Sequence, residues 1–284
     1  MGSIFQNFAA VARLRRRPEG PINVPALRRE LRKSGQRHPT SGHPTSGIPK
    51  NVTVIIPCYG HAPFLRACLD SILRQTRLPD EVVAVLDDSP DDSERILLEY
   101  RDLFVRAGVY FSTLKNIRNI GQAATINRGV QHASSELMMV LNDDDILFDD
   151  SIWLSLRHFE VSGPFALMGG SCVSFSEDEV IADYESTALR RQTLGQITIH
   201  PRYAVERYSS VADFNITHSG MTFLKEAWKI AGGYQSRKSK RLVRHSDRDF
   251  QFRMNCYFPT AVLDDSLPLA FWRRGSSVDK GLNS

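Results

Sequence analysis

VTVIIPCYG, residues 52–60, is a β-branched run from Val52 to Ile56 stopped by Pro57 and followed by the turn-forming Cys58-Tyr59-Gly60. An unbroken apolar run of that length predicts a strand covered on both faces. Outward from it, Pro63–Arg74 carries Phe64, Leu65, Cys68, Leu69, Ile72 and Leu73 at helical spacing. Val82–Leu86 is a second buried strand ending in Asp87-Asp88, and Asp92–Val105 a second helix with Ile96, Leu97, Tyr100 and Leu103 on one side. Val109–Thr113 reads as a strand, Gln122–His132 as a helix and Leu137–Leu141 as a fourth strand. Regular alternation of this kind predicts an α/β fold, a mostly parallel central sheet with helices on both faces.

Beyond residue 150 the alternation weakens. Phe165–Phe175 and Ile197–Ile199 are expected to be extended, Leu224–Ile230 and Arg248–Met254 helical, and Ala261–Leu263 and Leu269–Trp272 late strands. No linker-like break separates this half from the first, so the two are expected to share one sheet.

The 284 residues carry a net charge of +4, unevenly distributed. Residues 1–50 hold ten basic side chains against Glu19 and Glu30, a net +8, which leaves −4 on the body. A basic balance confined to a tail removes the main support for nucleic-acid binding. The tail contains a weakly amphipathic stretch from Ile4 to Leu14 ending in Arg15–Arg17, then a Pro-, Arg-, Gly- and Ser-rich linker with HPTSG repeated at 38–42 and 43–47. Such a segment cannot build a core and is expected to be flexible, with a basic end suited to an anionic membrane surface. No apolar run approaches the ~18–20 residues of a membrane span, and a cytoplasmic location is expected. Cys58, Cys68, Cys172 and Cys256 form no C-x-x-C pair, which argues against a zinc knuckle or redox motif and for reduced thiols.

In open α/β sheets, ligands bind outside the carboxyl ends of the strands. Three strand ends are polar here: Pro57-Cys58-Tyr59-Gly60, Asp87-Asp88-Ser89 and Asn142-Asp143-Asp144-Asp145. Asp87-Asp88 alone is equally compatible with capping the following helix. Three consecutive carboxylates at the mouth of a buried strand repel one another, and a divalent cation with hard oxygen ligands, Mg²⁺ or Mn²⁺, relieves that repulsion.

These segments, with Asn119-Ile120-Gly121-Gln122, Asn127-Arg128-Gly129, Gly232-Gly233-Tyr234 and Ser246-Asp247-Arg248-Asp249-Phe250, occur in the order and spacing of the family 2 glycosyltransferases, which the chain resembles over about residues 51–275. The resemblance implies a GT-A fold and inverting, metal-dependent transfer of a sugar from a nucleotide diphosphate. It implies that Pro57 and Tyr59 lie along the nucleoside and that Asp87 or Asp88 accepts from a base of the uracil type. Asn127 belongs to the donor-binding motifs; Asp143 would meet the ribose or diphosphate, Asp144 the metal, and Asp145 would support the cluster. Asp247 would be the general base toward a carbohydrate or lipid-linked acceptor, and Arg273, with Arg274, would belong to a basic segment that closes on the diphosphate. Residues 51–284 would form one domain, donor-binding over 51–148 and acceptor-binding over 149–284. Asn142 and Ser246 depart from the family pattern, where acidic residues are usual.

Two other readings use the same residues. A haloacid-dehalogenase-type phosphatase also ends a strand in D-x-D, but Ile146-Leu147 does not continue its pattern. A scaffold that binds the nucleotide sugar without catalysis would retain the fold; Asp144 and Asp247 argue against it, and the departures at Asn142 and Ser246 argue for it. No G-x-G-x-x-G follows the first strand and no P-loop is present. The histidines at 61, 132, 158, 200, 218 and 245 lack metal-ligand spacing; His218 and His245 are the ones expected near an acceptor. Tyr184–His200 is polar and carries Arg190 and Arg191; the resemblance implies that a loop in this position faces the acceptor.

Overall fold

The computed structural model describes residues 48–175, 194–205, 214–235 and 246–274. The tail and linker, most of the 184–200 stretch with Arg190 and Arg191, His245 and the segment after Arg274 lie outside the described residues.

β1 (Val52–Cys58), β2 (Glu81–Leu86), β3 (Tyr110–Lys115) and β4 (Leu137–Val140) pair in parallel in the order β3-β2-β1-β4. Every residue of β1, β2 and β4 is buried, which is why these segments lack polar alternation. α1 (Ala62–Leu73) and α2 (Ser93–Arg106) connect β1 to β2 to β3, while α3 (Gln122–His132) returns across the sheet to β4. Right-handed crossovers place α3 on the face opposite α1 and α2. Accordingly α1 packs on α2, and α3 packs on β1 and β2.

Pro57 does not stop the first strand. It lies within β1 opposite Val85. The Ile55 carbonyl points toward β4, where it accepts from the Leu141 N–H, and β1–β4 pairing ends at Ile55. Pro57 faces that same side one step further on, where no partner needs its missing N–H.

The second half adds strands to the same sheet. β9 (Thr222–Leu224) runs antiparallel between β4 and β6 (Leu167–Gly169). β10 (Thr260–Leu263) pairs parallel with β6 and antiparallel with the edge strand β8 (Ile197–His200). The order is β3-β2-β1-β4-β9-β6-β10-β8, with only β9 and β8 reversed. Phe165–Phe175 is not one extended segment: after Gly169-Gly170 the chain leaves β6 for β7 (Cys172–Phe175) in a second sheet. That sheet, β5-β11-β7, also contains β5 (Ile146–Leu147) and β11 (Ala270–Arg273), and it encloses a small core of Ile146, Phe148, Phe175 and Phe271. The remaining helices are α4 (Ser151–Val161), α5 (Lys225–Ala231) and α6 (Ser246–Tyr257). α6 is tied to the end of α5 by Arg253, which pairs with Asp249 at 2.6 Å and donates to the Ala231 carbonyl. All four cysteines are free, and no helix among the described residues is long and apolar enough to cross a membrane.

Gly129 sets the distance between α3 and the sheet. A Cβ there would meet Ile55 Cγ2 at 2.7 Å and Val85 Cγ2 at 3.2 Å. Gly129→Ala gains about 1 kcal/mol of helix propensity but crowds two buried β-branched side chains, at about 1–3 kcal/mol. The expected outcome in urea unfolding is a net loss of about 1 kcal/mol; a net gain would show that α3 is not closely seated.

Candidate active site

The order β3-β2-β1-β4 places a topological switch between β1 and β4, because the chain leaves the two strands in opposite directions. The loops beyond their carboxyl ends border the crevice where open α/β sheets bind ligands. Asp143 bridges that crevice: its Oδ2 accepts from the Tyr59 N–H at 2.9 Å, and its Oδ1 lies 2.8 Å from His61 Nδ1. Tyr59 itself is 46% exposed on the rim, whereas Pro57 is buried within β1.

The first rim is held by Asp91, which accepts from the Ala62 N–H at 2.8 Å, from Ser89 Oγ at 2.7 Å and from the hydroxyl and amide of Ser93. Burial alone would raise its carboxyl; these hydrogen bonds outweigh that and hold its pKa below the ordinary value. Ser89 also accepts from the Gly60 N–H. The β1–α1 and β2–α2 loops are thereby joined.

Asp143, Asp144 and Asp145 are 4%, 6% and 1% exposed. Asp145 Oδ2 accepts from Ser219 Oγ at 2.5 Å and from Asn142 Nδ2 at 3.1 Å, and its Oδ1 accepts from the Arg273 N–H at 3.1 Å. Even so, burial and then the Asp144 charge push its pKa up to about 7. Burial likewise raises Asp143, with His61 opposing. The hydrogen bond to Asp143 raises His61 in turn, so this imidazole favours its protonated form more than usual. One ligand atom each from His61, Asp143 and Asp144 lies within 4.8 Å of the others. Crowded, buried carboxylates whose repulsion is incompletely met suit a divalent cation, so the residues present fit one.

Asp87 anchors a loop. It is 3% exposed, and its two oxygens accept from Asn116 Nδ2 at 2.7 Å and from the Ile120 and Gly121 N–H groups, both at 2.8 Å. Asp88, beside it, is exposed in left-handed backbone at φ 57°. Asn127 is engaged by a turn: its amide donates to the Tyr234 carbonyl and accepts from the Tyr234 N–H and from Trp228 Nε1. It thereby fixes the Gly232-Gly233-Tyr234 turn.

Asp247 lies in the first turn of α6, partly buried. Burial raises the Tyr234 phenol and the Asp247 charge raises it further; burial lowers His218, against the same charge. His218 Nε2 is 3.3 Å from Tyr234 Oη. Because Ser219 bonds Asp145, residues 218–219 link the Asp247 neighbourhood to the acidic cluster. Arg273, 7% exposed, packs its guanidinium 3.9 Å from the Phe64 ring centre and 4.6 Å from that of Phe175. Its Nε donates to the Asp144 carbonyl at 3.1 Å, so it clasps the loop from behind.

The structure thus gathers Tyr59, Asp143, Asp144, Asp145 and Arg273 in one place, with Asp87 and Asp88 on the adjoining rim and Asn127 on the Tyr234 turn. His61 and Ser219 join the cluster without any signal from sequence spacing. The position of His61 two residues after Tyr59, at the end of β1, was the available clue.

If Asp87 holds the 116–121 loop, Asp87→Asn removes charge and one acceptor, and the Ile120 and Gly121 amides should exchange with solvent about tenfold faster or more. Unchanged protection by NMR would transfer that role to Asn116.

Residues 53–222 match the family model described as Glycosyl transferase family 2. Similar curated proteins include glycosyltransferase GlyA of Streptococcus pneumoniae, 32% identical over 133 residues covering 46% of this chain and 18% of that protein. Another is the uncharacterized glycosyltransferase YwdF of Bacillus subtilis, 28% identical over 126 residues, 44% of each chain. The chain therefore spans less than half the length of these relatives. Among solved structures, Staphylococcus aureus TarS 1–349 in complex with UDP-GlcNAc superposes with a TM-score of 0.59 at 14% identity, covering 80% of this chain and 60% of that one. The mannosyltransferase PcManGT of Pyrobaculum calidifontis in complex with GDP-Man and Mn²⁺ gives 0.56 at 18% identity, covering 97% and 70%. With the family model matched over more than half its length and the sheet order described above, the chain belongs to glycosyl transferase family 2 and has the GT-A fold.

Proposed function

We propose that the protein transfers a sugar from a nucleotide-diphospho-sugar, UDP-linked, to an acceptor hydroxyl with inversion at the anomeric carbon. The observation that carries this reading is the crevice itself: three buried carboxylates at the end of β4, with Ser219 bonded to Asp145 and the adjacent His218 close enough to Asp247 to feel its charge. In a single in-line displacement, the Asp247 carboxylate takes the proton of the acceptor hydroxyl as its oxygen bonds to the anomeric carbon. The bond from that carbon to the diphosphate oxygen breaks, and the nucleoside diphosphate leaves with the electron pair. A divalent cation, Mn²⁺ or Mg²⁺, held by Asp144 with Asp143, supplies neutralising charge for the leaving diphosphate when bound.

The chain's own groups divide the remaining work. Tyr59, exposed on the rim, walls the nucleoside above Pro57. Asp88, exposed beside the Asp87-held loop, accepts from the base imide. Asp145 and Arg273 keep the acidic loop in register, and Asn127 holds the Tyr234 turn beneath Asp247. Residues 51–284 act as one transferase domain, with the basic excess of residues 1–50 supporting a peripheral contact with an anionic cytoplasmic membrane face. A carbohydrate or lipid-linked acceptor, in polysaccharide or glycolipid synthesis, suits that arrangement.

Calorimetric titration of the purified chain with UDP-, GDP- and dTDP-sugars, in Mn²⁺ and again in chelator, tests the donor site. Binding of one nucleotide class that weakens in chelator is expected; no binding to any overturns the reading. Asp144→Ala should abolish the difference between Mn²⁺ and chelator. Asp247→Asn should slow transfer about a hundredfold or more with donor affinity retained, and normal turnover would remove Asp247 from the role of base.

A further inference from the structure

We propose that His61 contributes a nitrogen ligand, Nδ1, to the cation held by Asp143 and Asp144, and that this donor makes the site select manganese over magnesium. The inference rests on the donor-site reading above and narrows its cation. Three independent features of the chain converge on it.

The first is spacing. His61 Nδ1 and Asp143 Oδ1 are 2.8 Å apart. Two adjacent ligand atoms of an octahedral cation, each ~2.1 Å from it, lie about 3 Å from one another. The pair therefore needs almost no movement to exchange its hydrogen bond for a shared ion. Asp144 supplies the third atom within the same 4.8 Å.

Orientation is the second. Asp143 is held by its other oxygen, Oδ2, through the Tyr59 N–H at 2.9 Å, so Oδ1 is aimed by the backbone and not by the cation. His61 is the residue immediately before α1, and its carbonyl accepts from the Phe64 and Leu65 N–H groups. The Asp143 oxygen is thus aimed, and the His61 backbone anchored beside it, before any ion arrives, as metal sites require of the groups behind their ligands.

The third is donor chemistry. Carboxylates alone hold Mg²⁺, Ca²⁺ and Mn²⁺ with little distinction, whereas an imidazole nitrogen favours first-row transition ions. One nitrogen in an otherwise oxygen site shifts the balance toward Mn²⁺ without excluding phosphate oxygens from the remaining positions.

The test is electron spin-echo envelope modulation of Mn²⁺ added to the full chain with UDP. The wild-type spectrum should show ¹⁴N modulation that changes to the ¹⁵N pattern when the chain is made with ¹⁵N-histidine, a result that needs no variant to fold. His61→Gln, checked by thermal melting, should lose the modulation and weaken Mn²⁺ binding about tenfold or more, with Mg²⁺ binding changed less than about twofold. Mn²⁺ bound without nitrogen modulation overturns the proposal and leaves the donor-site reading intact. Modulation that persists in His61→Gln, or equal weakening of both cations, also overturns it. Failure of Mn²⁺ to bind in any form, with or without UDP, overturns both.

Discussion

Asp143, Asp144 and Asp145 are buried side by side at the end of β4, and burying negative charge destabilises a fold unless donors or cations surround it. Much of the second half of the molecule is arranged around that constraint. Ser219 from the turn before β9, Arg273 from β11, and Tyr59 and His61 from the turn after β1 each turn a donor or ring nitrogen toward one of the three. The cluster is thus the point at which otherwise separate stretches of chain are required to meet. What those donors leave uncompensated, burial first and the Asp144 charge second, is visible in the Asp145 carboxyl, pushed up to about 7.

Strand direction explains how Ser219 gets there. A strand parallel to β4 would begin at the opposite edge of the sheet, far from the acidic loop. β9 runs antiparallel, so the turn that precedes it starts at the carboxyl end of β4, where the Gly220 N–H bonds the Val140 carbonyl. The same reversal sets His218 near Asp247 and Tyr234. A break in the parallel sheet is therefore what joins the two sides of the crevice.

Much of this was legible in the residues themselves. The first four strands and three helices follow from unbroken β-branched runs alternating with helical spacing, because a sheet covered on both faces leaves no ambiguity of pattern. The acidic run at 143–145 was legible for a related reason: three adjacent carboxylates after an apolar strand have few structural uses. β9 and β5 escaped because three- and two-residue strands carry no periodicity, and α4 was not read as a helix although it buries Ile152, Leu154 and Phe159. Pro57 misled because its effect depends on where β4 ends, which is a property of a neighbour 80 residues away in sequence. His61 and Ser219 were opaque in another sense. Their functions depend on what stands opposite them, and no local spacing encodes that.

Arg273 is separated from Asp145 by 128 residues, and it is the clasp that closes the acidic loop from behind. Protein synthesis is vectorial, so the parallel half of the sheet, with its carboxylates, leaves the ribosome well before this arginine does. A nascent chain therefore holds an acidic loop that is already formed in sequence but has no rear wall. The crevice is complete only once β11 lies between β5 and β7, and fragments ending before residue 273 would carry the carboxylates without the Arg273 contacts that hold their loop.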